Sequence, residues 1–465
     1  MTNQAGLAAR DLLVELYAAA TRAAAPGPAL ASRLEQLNLA PAHRVWILAL
    51  GKAALPMANT AVQFLRSRGH DPVGGLVVAP EGDRSPHPNI ELALGDHPEP
   101  GARSLAAAEA LGRITSRVAP QDEVWVLLSG GTTSLIGAPE AGLTPADLRT
   151  VYSLLLGSGL DIAAMNRIRK RFSRWGGGKL AQALFPAVVR VYIVSDVIGD
   201  DLASIGSGPC VPDATTASEV RDLLERYQLW SRIPEPARQV ILSAASGKTA
   251  ETPKPGDQAF ARVILELVAS NRLALEAAAV LAAELGLAPK LVETPLAGEA
   301  ATAGASVADH LLNNCRRHSI PQPSGSPVCI IWGGETTVSL GDGPIGTGGR
   351  SQELALAAAR VLARAADGAA LLAAGTDGRD GPTDAAGAIV DGKTWNAIVA
   401  RGRDPALDLA RHNAYPALDS VGALLKPGLT GTNVMDIVIG VCMEKLERTG
   451  TAMSGERDLP GLAAF

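Results

Sequence analysis

Residues 45–52 read VWILALGK, and residues 124–134 read VWVLLSGGTTS. Each is an unbroken apolar run that stops abruptly at glycine and polar residues. An apolar run of that length without alternation is the pattern of a strand buried on both faces, which points to a parallel sheet covered by helices. The same reading applies to residues 75–79 and 189–195, and then to 263–269, 291–294, 328–332, 369–374 and 434–440. Ala- and Leu-rich stretches with helical spacing lie between them, at 56–68, 102–118, 144–156, 272–285, 298–317 and 352–365. Strands alternating with helices predict an α/β fold.

Two stretches interrupt this rhythm. Residues 246–258 (SGKTAETPKPGDQ) are polar with two prolines and divide two strand–helix blocks. They predict two Rossmann-like domains with mostly parallel sheets, over 1–250 and 258–450, followed by a tail over 450–465. Residues 318–327 (HSIPQPSGSP) fall inside the second block and read as a surface loop.

The composition fits this picture. The chain has 465 residues, 47% hydrophobic and 19% charged, a balance that excludes a disordered protein. A net charge of −5 excludes a dedicated nucleic-acid binder. No run approaches the ~18 apolar residues of a membrane span, so no membrane association is expected. Residues 1–26 carry Arg10, Asp11, Glu15 and Arg22 among Ala and Leu, as an amphipathic helix does and a signal peptide does not. Cys210, Cys315, Cys329 and Cys442 are too scattered for a metal or redox motif. They are expected as free thiols in a reducing, cytoplasmic setting.

In open parallel sheets, ligands sit beyond the carboxyl ends of the strands, where this chain concentrates its glycines. Lys52 follows the first strand directly, a position where a cation serves an anion better than it serves the core. The turn Ser129, Gly130, Gly131, Thr132, Thr133 and Ser134 combines glycines with hydroxyls at a helix start, a suitable cradle for phosphate. Gly348 and Gly349, expected with that turn to bind nucleotide or phosphate, precede Arg350, whose guanidinium can grip a carboxylate or phosphate through paired hydrogen bonds. Asp196, Asp377 and Asp384 sit in turns past strand ends and could serve Mg²⁺, which takes a few carboxylates together with phosphate oxygens.

Other motifs fail on context. Gly247-Lys248-Thr249 lacks the upstream glycine and strand of a Walker A loop, and residues 341–346 satisfy GxGxxG but place Pro344 where a helix should begin. No HExxH or GxSxG motif occurs.

Taken in order, these motifs resemble the class II glycerate 2-kinases, built from an N-terminal glycerate-kinase domain and a C-terminal MOFRL domain. Members of this family are often labelled hydroxypyruvate reductases. The resemblance rests on Gly51-Lys52-Ala53-Ala54, Leu128-Ser129-Gly130-Gly131, Asn166-Arg167-Ile168-Arg169-Lys170, Ser195-Asp196-Val197-Ile198-Gly199-Asp200-Asp201 and Ser207-Gly208-Pro209. It continues through Gly333-Gly334-Glu335-Thr336-Thr337, Gly348-Gly349-Arg350-Ser351-Gln352-Glu353, Gly375-Thr376-Asp377-Gly378 and Thr430-Gly431-Thr432-Asn433. One departure is Thr132, standing where the family usually has a third glycine; a β-branched residue there would narrow the loop and resist positive φ.

The resemblance implies transfer of the γ-phosphoryl group of ATP, with Mg²⁺, to the 2-hydroxyl of D-glycerate, in a cleft between the domains. It implies a catalytic lysine at Lys52 and an essential arginine at Arg350. Asn166, Arg169 and Glu335, which lie within the matching motifs, are expected to join Arg350 at the acceptor, and Asp196 and Asp377 at the metal. The alternatives are an NAD(P)H-dependent hydroxypyruvate reductase, a kinase for a related hydroxy or sugar acid, and a non-catalytic sensor using the same cleft. Self-association is left open.

Overall fold

The computed structural model describes residues 4–39, 43–318, 327–341, 343–364 and 368–442. Most of the expected loop at 318–327, Asp342 and the 450–465 tail therefore lie outside the described residues.

The first sheet contains β1 (Val45–Leu50), β2 (Gly74–Ala79), β3 (Ile90–Leu94), β4 (Glu123–Leu128), β5 (Val188–Val194) and β6 (Val263–Ala269), ordered β3-β2-β1-β4-β5-β6. Every pairing in it is parallel. All residues of β1, β2 and β4 are buried, as their continuous apolar runs require. Strand order runs outward in opposite directions from β1 and β4, so their carboxyl ends, Leu50 opposite Leu128, flank a topological switch point. Chain connections leave such a point toward opposite faces and open a crevice there.

The second sheet contains β7 (Ala288–Leu291), β8 (Val328–Gly334), β9 (Ala369–Gly375), β10 (Gly387–Asp391), β11 (Leu424–Leu425) and β12 (Asp436–Cys442), ordered β11-β10-β9-β12-β8-β7. Here the expectation of a mostly parallel sheet fails: only β7 with β8 is parallel, and the other pairings are antiparallel. Strand β12 inserts between β8 and β9 but runs opposite to both. A buried central strand carries the same continuous apolar run in either direction, so the pattern is silent on this point.

The partition of the chain also differs from the expected one. The polar stretch at 246–258 leads into β6, which completes the first sheet beside β5 rather than opening the second. Of the described residues, the first unit comprises 21–39, 43–274 and 431–434, and the second 4–20, 275–318, 327–341, 343–364, 368–430 and 435–442. A Pro-rich surface loop marks solvent exposure, not domain membership. The helix Gln4–Ala23 joins the second unit through most of its length, with Tyr17 Oη donating to Gly375 O at 2.7 Å and Arg10 Nη2 to Leu424 O at 2.8 Å.

The cysteine expectation is half corrected. Cys210 and Cys329 are buried free thiols, but Cys315 and Cys442 form a disulfide. The pairing arises because the helix Ala300–His318 packs beside β12, bringing together residues 127 apart in sequence. Among the described residues, no helix is long and apolar enough to cross a membrane.

Candidate active site

In the first unit, three strand-end turns converge. Lys52 N donates to Gly130 O at 2.9 Å, Ser129 N to Leu50 O at 3.0 Å, and Ala53 N to Ser129 Oγ at 3.0 Å. These bonds lock the turn after β1 to the turn after β4. Gly51 adopts φ +124°, and a Cβ there would overlap Ser129, so this contact demands glycine. Likewise, a Cβ on Gly130 would overlap the Asp196 carboxylate, which therefore lies directly against the turn from the end of β5.

Lys52 is exposed at the rim of this arrangement. Burial raises the Asp196 carboxyl above its usual range, with its own backbone N–H and the charge of Lys52 opposing the rise. Burial and Lys52 together lower His97. A methyl group on Gly131 would sit 3.3 Å from Lys52 Cγ and 3.2 Å from His97 Cδ2, so lysine, histidine and glycine turn are neighbours.

The hydroxyls of the expected phosphate cradle are otherwise engaged. Thr132 Oγ1 lies within hydrogen-bond distance of Leu50 O (2.9 Å) and Ser129 O (2.8 Å), and Ser134 Oγ donates to Gly131 O at 3.0 Å. Thr133 Oγ1 pairs with Ser207 Oγ at 2.9 Å. Thr132 is buried and helical, with Gly131 alone taking positive φ (+84°). The threonine therefore does not strain the loop, and its hydroxyl braces the turn. Asn166 is buried in the helix Ile162–Phe172, where Arg169 stacks on Tyr152 at 5.2 Å.

In the second unit, Arg350 opens the helix Arg350–Leu362. Its Nε and Nη2 meet Asp436 Oδ2 and Oδ1 at 2.6 and 3.0 Å, and its Nη1 meets Glu335 Oε1 at 2.8 Å. Burial works against the charge, but the hydrogen bonds and charge of Asp436, with Glu335 and Asp380 beyond, outweigh it and hold the guanidinium firmly protonated. Glu335 is thus an ion-pair partner of Arg350 rather than a free group awaiting substrate.

Asp436 is central here, and the sequence reading passed over it. Because β12 is antiparallel, its first residue pairs with Gly334 of β8 and Gly375 of β9, at their carboxyl ends. The available signal was an aspartate inside an apolar strand, since burying a carboxylate without a partner is costly.

Asp377 follows β9 and accepts from Arg379 N at 2.9 Å in a tight turn. Asp380 caps the Arg350 helix, accepting from Ser351 N at 3.1 Å and Gln352 N at 2.7 Å, and wraps Gly349 too closely for any side chain there. Burial pushes Asp380 up to about 7, against those two backbone N–H groups. Gly348 packs against Ala414. Asp384 bonds Tyr415 and Lys426 at an exposed edge instead. The residues around Gly346 pack on 411–413, and the next helix begins only at Arg350. That loop therefore lacks the strand–turn–helix context of a dinucleotide fingerprint.

Among the described residues, no group of three or more His, Cys, Asp or Glu side chains stands ready for a metal by itself. Asp196 and Asp377 belong to different units.

Comparison with known proteins adds the lineage. Residues 12–242 match a domain of unknown function, DUF4147, and residues 328–436 match the MOFRL family. The chain is 39% identical over 406 residues to a glycerate 2-kinase of Pyrococcus horikoshii, covering 87% of this chain and 89% of that protein. It is 36% identical over 433 residues to a D-glycerate 2-kinase of Thermotoga maritima, covering 93% and 98%. The crystal structure of a Thermotoga maritima glycerate kinase superposes with a TM-score of 0.84 at 35% identity, covering 94% of this chain and 99% of that one. With its paired domains, ordered motifs and end-to-end likeness to these proteins, the chain belongs to the class II glycerate 2-kinase family.

Proposed function

We propose that this chain transfers the γ-phosphoryl group of ATP to the 2-hydroxyl of D-glycerate, giving 2-phosphoglycerate and ADP. The glycerate oxygen forms a bond to the γ-phosphorus, the bond to the β,γ-bridging oxygen breaks, and the hydroxyl proton is released. The observation that carries this reading is Lys52, an exposed ammonium at the switch point of the parallel sheet, bordered by the Gly130–Gly131 turn. Phosphoryl transfer asks mainly for positioning and charge neutralisation, and a cation beside a glycine turn supplies both. The naming of the Thermotoga maritima relative as a D-glycerate 2-kinase supports the acceptor.

Arg350 takes the acceptor carboxylate in this reading. Asp436 fixes one edge of the guanidinium, while among the described residues Nη1 pairs with Glu335, whose side chain is 41% exposed. An incoming carboxylate can replace Glu335 there without disturbing the Asp436 fork.

Mg²⁺ neutralises phosphate charge when bound, and it accepts one or two carboxylates with the remaining sites on phosphate and water. Asp196, pressed against the glycine turn, fits that donor set, with Asp377 a second candidate in the other unit. The ion would arrive with the nucleotide. An ATP-dependent reaction on a small hydroxy acid supports a cytoplasmic setting, in which the Cys315–Cys442 disulfide would have to withstand thiol reductants.

The test is an ADP-release screen over D-glycerate, L-glycerate, tartronate and erythronate, with NMR of the product. Turnover with D-glycerate and phosphate on C2 is expected. Formation of 3-phosphoglycerate, or NAD(P)H-dependent reduction of hydroxypyruvate without kinase turnover, would overturn the assignment.

A further inference from the structure

The histidine beside Lys52 has no part in the reading so far. Strand β3 lies at the edge of the first sheet, but the chain beyond it turns back across the strand ends toward β1 and β4. Gly95 N donates to Ala79 O, at the end of β2, at 3.0 Å. A Cβ on Gly95 would overlap the backbone of Leu135, in the short helix that follows the Gly130–Gly131 turn. Asp96 is fixed to the start of the helix Ala102–Thr115: its N–H donates to Ser104 Oγ at 2.9 Å, and its carboxylate accepts from Arg103 N at 2.9 Å and Arg103 Nε at 2.7 Å. The backbone leading into His97 is therefore held at several points before the ring begins.

A Cβ built on Gly131 would lie 3.2 Å from His97 Cδ2, 3.4 Å from His97 Nε2 and 3.3 Å from Lys52 Cγ, so the ring edge bearing Nε2 is turned toward the glycine turn. Among the described residues the ring makes no hydrogen bond, and it is exposed at the rim as Lys52 is. The other polar groups of the turn are committed. The hydroxyls of Thr132, Thr133 and Ser134 are engaged with carbonyls and Ser207, and Asp196, against Gly130, is the carboxylate suited to the metal. The charged groups around the ring are Lys52 and Asp196 across the turn and, on its own segment, Asp96, which is bonded to Arg103, and the exposed Glu99. Partial burial and the Lys52 charge hold the imidazole below its ordinary 6.5, hence neutral at pH 7 with one nitrogen free to accept a proton.

We infer that His97 is the general base of the reaction, its Nε2 taking the proton of the acceptor's 2-hydroxyl as that oxygen bonds to the γ-phosphorus. The bond from the γ-phosphorus to the bridging oxygen breaks, ADP leaves with the electron pair, and the imidazolium then passes its proton to water. Lys52 serves both halves of the step: its charge keeps the neighbouring imidazole unprotonated and offsets the charge of the phosphoryl group. The inference rests on the kinase reading, which supplies the hydroxyl whose proton must leave.

The test is steady-state kinetics of the full chain with D-glycerate and saturating Mg·ATP across roughly pH 5–9, which spans the ordinary range of histidine. His97→Gln and His97→Ala are compared with wild type, thermal melts establish that both are folded, and calorimetry gives their Mg·ADP Kd. A positioned base is typically worth about 10²–10⁴ in rate, so each variant should lose about a hundredfold or more in kcat at neutral pH, with the Mg·ADP Kd unchanged. The ratio of wild-type to variant kcat should rise with pH as His97 loses its proton and then level off; titration of the nucleotide itself cancels in that ratio. Added imidazole should restore part of the turnover of His97→Ala and leave wild type unaffected, which a merely structural histidine would not show. Wild-type kcat in the folded variants, a ratio constant with pH and no imidazole rescue, or a loss confined to Mg·ADP affinity overturns the inference, while wild-type turnover of D-glycerate keeps the kinase reading intact. A wild type that phosphorylates no hydroxy acid overturns that reading, and the base falls with it.

Discussion

Asp436→Asn tests the second half of the site most directly. The substitution keeps the shape of the side chain and removes the charge that meets Arg350 through two hydrogen bonds of 2.6 and 3.0 Å. Breaking a buried ion pair from one side typically costs about 3–5 kcal/mol. Three features reduce that figure here. The Arg350 side chain is 36% exposed, so water can solvate part of it, and Glu335 still pairs with Nη1. The loss also relieves repulsion between Asp436 and both Glu335 and Asp377. A net loss of about 2 kcal/mol follows, near the lower end for hydrogen bonds to charged groups. For a unit of 150–250 residues that corresponds to a drop of roughly 4–8 °C in Tm. Calorimetry reads the melting transition, and kinetics with D-glycerate reads the site, where the loosened guanidinium should raise KM for the acid. Replacing both partners, Asp436→Leu with Arg350→Met, should recover stability but not activity, because the stranded charge is gone along with the grip. If Asp436→Asn melted within 1 °C of wild type and kept its glycerate KM, the claim that Asp436 orients Arg350 would be wrong.

Lys52→Ala should lower kcat by roughly 10²–10³ without a comparable loss of Tm, and Lys52→Arg should not restore it, since the planar fork directs its donors differently; retention of more than about a tenth of wild-type kcat would remove Lys52 from the chemistry. Gly51→Ala should destabilise the first unit by about 2 kcal/mol or more, because it combines unfavourable positive φ with overlap onto Ser129, and an unchanged urea midpoint would contradict this. Asp380 is raised to about 7, above the unfolded carboxylate near 3.9, so the folded state binds the extra proton between those values. Wild-type stability from this group is therefore greatest below about pH 4 and declines until about pH 7. Relative to wild type, the stability of Asp380→Asn, which keeps one of the two capping acceptors and cannot ionise, should rise over that window and level off above it; a difference independent of pH refutes the shift. Alkylation after unfolding without reductant should modify two cysteines, Cys210 and Cys329, and reduction should lower Tm by an amount consistent with about 2–4 kcal/mol. Four modified thiols would show that the Cys315–Cys442 bond does not form.

Much of the site could be read from local sequence. Lys52, the Ser129–Ser134 turn and Asp377 stand where apolar runs meet glycine, and Asp196 follows an apolar run that stops at Ser195; a buried strand meeting a polar or glycine turn is a local signal. The parallel first sheet was legible for the same reason, because β1, β2 and β4 at its centre are apolar runs buried along their whole length. Strand direction, by contrast, is set by hydrogen-bond ladders and the path of the chain, neither of which has a local signature. Had β12 run parallel to its neighbours, Asp436 would lie at the opposite end of the sheet from Arg350 and Glu335; its antiparallel insertion places it beside them. The same kind of nonlocal contact joins residues 4–20 to the second unit through Tyr17 and Gly375, and Cys315 to Cys442. Composition at 246–258 reported exposure to solvent, while sheet membership of β6 was decided by its ladder with β5. Within the β4 turn, sequence named the residues, but only packing turned the Thr132 hydroxyl inward onto two carbonyls. A hydrogen bond depends on which groups meet in space, and for residues far apart along the chain that is a property of the folded structure alone.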